Sequence, residues 1–286
     1  MAPKNVEPAE ISANPQDHED EHVHAIYDQI APHFSSTRYK PWPIIAQFLD
    51  SLPTGYIGLD SGTGNGKYLP LPSNRPSGSV WTIGLDRSRN LLNIARMAGG
   101  TTREVILGDV ISKCWRAGAF DYAISIATIH HLASPDRRRT AVKRLLQSVS
   151  PYHGRVLVYV WAIEQDELSK RNVPDQRTSD EDSKAGRDVF VPWVLSTPNT
   201  KPKARKLAGA GSSPVTDQEV HSPPQVFNRY YHMFAKGELT ELVHDAATDL
   251  GLYVGPSDGR QLSQTGVEIV QDGWERSNYY VELRCW

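Results

Sequence analysis

The chain has 286 residues, enough for one large core and at most two domains, and its 39% apolar and 22% charged residues suit a soluble globular protein. Its 31 Lys and Arg against 33 Asp and Glu leave a net charge of −2, which excludes a globally basic binder of nucleic acid or anionic membrane; a polyanionic partner needs a local basic patch. Two distant cysteines, Cys114 and Cys285, exclude a disulfide framework and a cysteine-rich zinc site.

Residues 1–20 are polar, acidic and proline-containing, and read as a disordered lead without the apolar core of a signal peptide or the basic bias of a transit peptide. No apolar run approaches membrane-spanning length, so an intracellular location is expected. Val23, Ile26, Tyr27 and Ile30 then recur at helical spacing. After the polar turn SSTRYKP a second helix presents Trp42, Ile45, Phe48, Leu49 and Leu52. The period then shortens. The runs at 56–60, 80–86, 104–109, 120–128 and 155–162 predict strands buried on both faces, with helices predicted over 88–98 and 136–149. This alternation predicts a parallel, doubly wound α/β sheet. From 166 to about 224 the chain is rich in Ser, Pro, Gly and charge, and reads as a largely disordered insertion around an apolar island at 188–195 that docks onto the fold. A last helix groups Leu239, Leu242, Val243 and Ala246. Strands at 267–271 and 278–286 are too close for a helical crossover and should pair antiparallel. One domain over 21–286 with an insertion is the expected organisation.

The most informative stretch is LDSGTGNGKY, residues 59–68, directly after the first strand. Glycine admits positive φ and lets a ligand approach the main chain, and such a turn sits at the carboxyl edge of the sheet, where open α/β folds bind ligands. A P-loop is excluded because Tyr68 follows Lys67, and the dinucleotide pattern fails because Gly62, Gly64 and Gly66 are spaced G-x-G-x-G. Carboxylates Asp60, Asp86 and Asp109 close three successive strands. This spacing fits S-adenosylmethionine. Asp60 and the loop (Gly62, Thr63, Gly64, Asn65, Gly66) would surround its amino-acid part, Asp60 directly or through water. Asp86, with Arg87 beside it, would take the ribose hydroxyls. Asp109 with the Val110 backbone would meet adenine, and Ala127, ending the fourth strand, is placed in the same set. The alternative for each acid taken singly is a turn former or helix cap.

The segments EHVHAIYDQIAPHFSSTRYKPWP, LDSGTGNGKYL, ISIATIHHL, VYVWAIEQ, DVFVPW, RYYHMFAKGELTELV and ERSNYYVEL resemble the tRNA wobble-uridine carboxymethyl methyltransferase family through nearly all of 21–286. The resemblance implies a class I methyltransferase fold: a Rossmann-like seven-stranded sheet, mostly parallel with an antiparallel final strand and helices on both faces. It implies esterification of the carboxymethyl group on C5 of uridine 34 of tRNA, and an obligate small zinc-binding activator subunit. It also implies a cytoplasmic protein, with the nucleus as a second compartment. The family usually has Cys where Thr63 stands here.

For that reaction the acceptor is a carboxylate, so the residues of interest are donors and aromatic platforms. His130 is placed in the pocket as a catalytic donor with His131 beside it, the alternative being packing plus a backbone hydrogen bond, and without a metal, because adjacent histidines rarely converge on one ion. Arg38 and Arg229 are placed with His130 as catalytic residues, and an Arg or Lys of the cluster at 38–42 could clamp the acid or a phosphate. Tyr39, Lys40 and Trp42 form a basic-aromatic cluster able to stack on a splayed base, the alternative being that Trp42 seats its helix and Arg38 pairs with a surface acid. Tyr230, Tyr231 and His232 repeat that mixture, and Trp161 with Glu164 ends the fifth strand. Arg276 and Asn278 match the family's last motif. Arg137, Arg138 and Arg139 suit either a phosphate patch or a solvated helix face, and KPKARK at 201–206 a flexible RNA tether. Two other readings stand beside this one: a carboxyl methyltransferase for small molecules, and a non-catalytic binding relative with a vestigial pocket.

Overall fold

The computed structural model describes residues 4–36, 41–167, 169, 171–172, 185–195, 225–259 and 264–286. The N-terminal segment is not a loose lead. From residue 4 it forms β1 (Lys4–Asn5), β2 (Glu7–Pro8) and α1 (Pro15–Glu19), then a π-helical turn (Asp20–His24) that runs into α2 (Ala25–Ser36). Its polarity is deceptive, because the acids have partners far away in sequence. Glu19, only 1% exposed, accepts hydrogen bonds from the Arg137 guanidinium (2.6 Å) and the Ala133 amide (2.8 Å). Val6 is buried with Trp161, Val189 and Tyr231. Asn14 caps α1 by accepting from the Gln16 amide.

After α3 (Pro43–Asp50) the apolar runs become strands β3 (Tyr56–Ser61), β4 (Val80–Asp86), β5 (Val105–Leu107), β6 (Tyr122–Ile126) and β7 (Arg155–Trp161), connected in part by α4 (Arg89–Ala95) and α5 (Pro135–Ser148). Two-residue β8 (Arg171–Asn172) pairs with β1. Strand β9 (Arg187–Leu195), the apolar island, pairs antiparallel with β10 (Gln225–Met233) and with β2, making a three-stranded sheet of its own. The remainder is α6 (Glu238–Asp249), β11 (Tyr253–Val254), β12 (Gly266–Glu275) and β13 (Asn278–Cys285).

The central sheet runs β11-β12-β13-β7-β6-β3-β4-β5. It is parallel from β7 to β5, and β13 lies antiparallel to both neighbours. The eighth strand, beyond the seven expected, is the short β11, paired with β12 through two residues. Burial on both faces holds for β6 and nearly all of β7, in the middle of the sheet, but not for β5, where Ile106 and Leu107 are 40% and 52% exposed. The reason is position: β5 is the edge of the sheet, with no strand beyond it among the described residues. One core lies between the sheet and α5 and α6, around Val142, Leu146, Val243 and Val267; the other packs α3 through Ile45, Phe48 and Leu49 on Tyr122, Ile124 and Tyr159. Both leave the carboxyl ends of the parallel strands uncovered by core, and there the polar side chains gather.

Candidate active site

The loop after β3 turns sharply because Gly62, Gly64 and Gly66 all take positive φ, +88°, +56° and +76°. At Gly62 a side-chain carbon would also lie 2.2 Å from Thr128, whereas Gly64 has open space around it, so one glycine serves packing and the other exposes backbone. The loop is tied to β4: the Gly62 and Thr63 amides donate to the Leu85 carbonyl (2.8 and 2.9 Å), and the Gly64 amide donates to Asp86 (2.8 Å).

Beside this loop lies a cavity walled by Gly62, Thr63, Gly64, Asn65, Asp86, Arg87, Asp109, Val110 and Ala127, as the sequence placed them. Asp86 Oδ1 also accepts from the Ser88 amide (2.9 Å); burial raises its pKa and these amides oppose the rise. Asp109 accepts from the Ile111 amide (3.0 Å) and pairs with Arg87 (3.2 Å). Arg87 also pairs with Asp20 (3.0 Å), so it fastens the N-terminal segment to the rim. His24 joins the same wall, its imidazole lowered to about 4 by burial, with Arg87 adding to the effect. Ala127 holds an uncommon positive φ of +54° at the end of β6.

Asp60 and Gly66 depart from expectation, since neither is on the wall. Gly66 packs under α4, where a side-chain carbon would meet Ala95 at 2.8 Å. Asp60 is 1% exposed, sealed behind Thr63, whose hydroxyl donates to its Oδ2 at 2.7 Å. Its Oδ1 has no hydrogen-bond partner, and burial pushes its acid up to about 7.

At the other end of the cavity stand Tyr27, Phe34, Trp42, Lys67, Tyr68 and His131. Here the two histidines exchange roles. His130 is fully buried and does not line the cavity; its Nδ1 accepts from the Trp161 amide (3.1 Å). His131, next on a tight 3-10 turn (Ile129–His131), faces the cavity and donates through Nδ1 to the Tyr230 carbonyl (2.9 Å). Behind them Trp161 and Tyr231 stack in parallel at 4.1 Å, buried, so they support the site rather than receive a base. Arg229, 2% exposed, is not on the cavity wall: it sits behind Tyr27 in a box of Trp193, Tyr231 and Tyr27 rings at 4.7, 5.2 and 5.6 Å. It donates one hydrogen bond, to the Tyr27 hydroxyl (3.0 Å), and among the described residues it has no carboxylate partner.

Other expected substrate contacts lie elsewhere. His232 is held between Asp188 (2.9 Å) and Glu238 (2.7 Å), and the Tyr230 hydroxyl donates to Asp188, which joins β9, β10 and α6 structurally. Glu164 accepts from the Tyr279 hydroxyl (2.8 Å) outside the cavity. Arg276 and Asn278 belong to the β12–β13 hairpin tip; Asn278 is 1% exposed and donates to the Arg276 carbonyl (2.6 Å), so neither reaches the cavity wall. The arginine run is not an open phosphate patch. Arg137 pairs with Glu19, Arg138 is buried on the Leu132 carbonyl, and Arg139 pairs with Asp136 and Asp249. Arg38, Tyr39, Lys40 and KPKARK lie outside the described residues. Sequence reasoning did not place Phe34, Lys67 and Tyr68 in the site, although Lys67 and Tyr68 follow the glycine loop directly. Tyr27 read only as a core residue of its helix, and its hydroxyl was the available signal.

A parallel sheet with a glycine loop on its first strand and acids closing the second and third over one cavity defines a class I S-adenosylmethionine-dependent methyltransferase. A model described as a methyltransferase domain matches residues 59–150. The fold is shared with the CcbJ methyltransferase of Streptomyces caelestis (TM-score 0.58, 15% identity, 91% of this chain and 98% of that one). It is shared also with the 1,6-didemethyltoxoflavin-N1-methyltransferase of Burkholderia thailandensis, a crystal structure with S-adenosylhomocysteine bound (TM-score 0.56, 15% identity, 98% and 93%). Sequence relatives are nearer. The tRNA (carboxymethyluridine(34)-5-O)-methyltransferase of Schizosaccharomyces pombe is 37% identical over 93% of this chain and 96% of its own length. Its counterpart in Saccharomyces cerevisiae is 30% identical over 92% and 95%. The chain belongs to the tRNA (carboxymethyluridine(34)-5-O)-methyltransferase family.

Proposed function

We propose that the Tyr27 end of the cavity, backed by the buried Arg229, receives the carboxylate of 5-carboxymethyluridine at position 34 of tRNA, and that the chain converts it to the methyl ester with S-adenosylmethionine as donor. The residues fit this donor: Gly64 leaves its approach open, Asp86 lines the wall, and a buried acid lies behind Thr63 without a compensating cation among the described residues. When bound, the donor supplies an electrophilic methyl group on a sulfonium.

The observation that carries the substrate reading is Arg229. A buried cation with no carboxylate partner among the described residues costs several kcal/mol, and an anionic ligand arriving at Tyr27, behind which Arg229 lies, offsets that cost. A carboxylate of ordinary acidity, with a pKa of about 4, is ionised at neutral pH and needs no general base. What remains for the protein is to hold the oxygen in line with the methyl and to keep water out. Tyr27, Phe34 and Trp42 supply an apolar wall for that purpose, and His131, fixed by Tyr230, supplies a polar group beside it.

The proposed partner is the small zinc-binding activator implied by the family resemblance. Strand β5 offers a surface for it: an unpaired edge bearing exposed Ile106 and Leu107, with Trp81 on β4 41% exposed beside it. The proposed compartment is the cytoplasm, with the nucleus as a second, since both hold tRNA. The direct test is mass spectrometry of wobble nucleosides from cells lacking the protein. The methyl ester should vanish and the free acid accumulate; an unchanged profile overturns the assignment.

A further inference from the structure

Thr63 is fixed in one orientation by three contacts. Its amide donates to the Leu85 carbonyl (2.9 Å), its methyl abuts Gly84, where a side-chain carbon would meet it at 2.8 Å, and its hydroxyl donates to Asp60 Oδ2 (2.7 Å). Asp60 is sealed from the cavity and has no other side-chain hydrogen-bond partner among the described residues, while Thr63 lines the cavity. A hydroxyl whose proton points at a carboxylate can offer only lone pairs on its other side. The negative charge behind it makes that oxygen a better acceptor for a cation.

We propose that the Thr63 hydroxyl accepts a hydrogen bond from the cationic amino group of S-adenosylmethionine, with Asp60 as the positioning residue that orients the hydroxyl and supplies the opposite charge from behind. This rests on the cofactor assignment above. It gives threonine a distinct part at a position where the family usually has cysteine, because sulfur is the weaker acceptor.

The arrangement makes cofactor affinity depend on pH. Burial pushes Asp60 up to about 7, Asp86 on β4 acts in the same direction, and the Thr63 hydroxyl opposes both. Tyr122 on β6 is the other titratable group that feels the Asp60 charge, and its own acidity is pushed far above the neutral range. As pH falls through about 7, Asp60 takes up a proton, the charge behind Thr63 disappears and affinity drops. Removing the hydroxyl removes the one group that favours the ionised form, so the drop begins at higher pH.

The test is calorimetric titration of the purified full-length chain with S-adenosylhomocysteine, which keeps the amino-acid part, between about pH 5.5 and 8.5. Thr63→Val is isosteric and keeps the contact with Gly84. It should bind about tenfold more weakly at neutral pH, with its midpoint displaced upward. Thr63→Ser should retain the wild-type profile, and Asp60→Asn should be flat across the window. If Val and Ser variants give the same curve, the proposal is wrong. A wild-type midpoint surviving in Asp60→Asn also overturns it, transferring the titration to His24 or His131 on the same wall. Should Thr63→Val fail to fold, Thr63→Cys carries the comparison, with weaker binding and an upward midpoint expected and a wild-type curve overturning the proposal. Absence of binding by the wild type at every pH would instead strike the cofactor assignment, and this proposal with it.

Discussion

The two ends of the cavity are built differently. At the β3–β5 end, Asp86 and Asp109 are held by backbone amides a few residues away or one strand across, so ligand recognition is a property of strand ends and tight turns. At the β6–β10 end the contacts are between side chains far apart in sequence: Arg229 meets Tyr27 across 202 positions, and Tyr231 shares a hydrogen bond with the same Tyr27 across 204. The first kind of site comes with the sheet. The second exists only once the N-terminal segment and the β9–β10 sheet have closed on each other, and it is the one proposed to receive the substrate.

The contrast can be broken most severely at the first end. Asp86→Ala should lower cofactor affinity by about 100-fold or more, since it removes the acceptor that holds the Gly64 amide and faces the ligand; calorimetry reads this, and affinity within tenfold of wild type would show that the loop alone suffices. Arg229→Met should leave cofactor affinity within about twofold and lower kcat/KM on tRNA bearing carboxymethyluridine by about 100-fold. A parallel loss of cofactor binding would mean that the ends are not separable. Glu19→Gln leaves the Arg137 charge without its buried acid and should lower stability by about 3 kcal/mol in denaturant unfolding. No change there would return the N-terminal segment to a dispensable lead.

Smaller effects sharpen the picture. Asp60 has a pKa of about 7 in the fold, against about 4 in an unfolded chain, so ionising it costs stability increasingly as pH rises from 4 to 7, and fully above that. Asp60→Asn should therefore melt above the wild type at pH 8 without cofactor, with the gap closing toward about pH 4. A gap independent of pH would remove the buried charge from the explanation. Arg139→Ala should change tRNA affinity by less than about twofold, because its guanidinium is engaged by Asp136 and Asp249. A large loss in a binding assay would restore the arginine run as a phosphate surface.

The fold was legible wherever the signal was local. Residues 120–128 and 155–162 alternate with helices in a way only a parallel sheet accommodates, and the antiparallel end follows from the short gap before 278. The N-terminal segment was not legible, because Glu19 and Asp20 look solvated until their partners Arg137 and Arg87 are known. The exposed β5 was missed because an edge strand and a central strand have the same composition when each is short.

By itself the sequence determined the glycine loop, the acids after β3, β4 and β5 and the family motifs, because turns and strand ends depend on neighbours within a few residues. Only the tertiary structure decided that His131 rather than His130 faces the cavity, that Asp60 lies behind Thr63, and that Arg229 has an aromatic box but, among the described residues, no acid. The physical reason is that one residue's difference on a 3-10 turn swings a side chain through about 120°, and which side is buried is set by what packs there: both histidines touch Tyr231, but His130 also meets Trp161, by ring contact and by accepting a hydrogen bond from its amide.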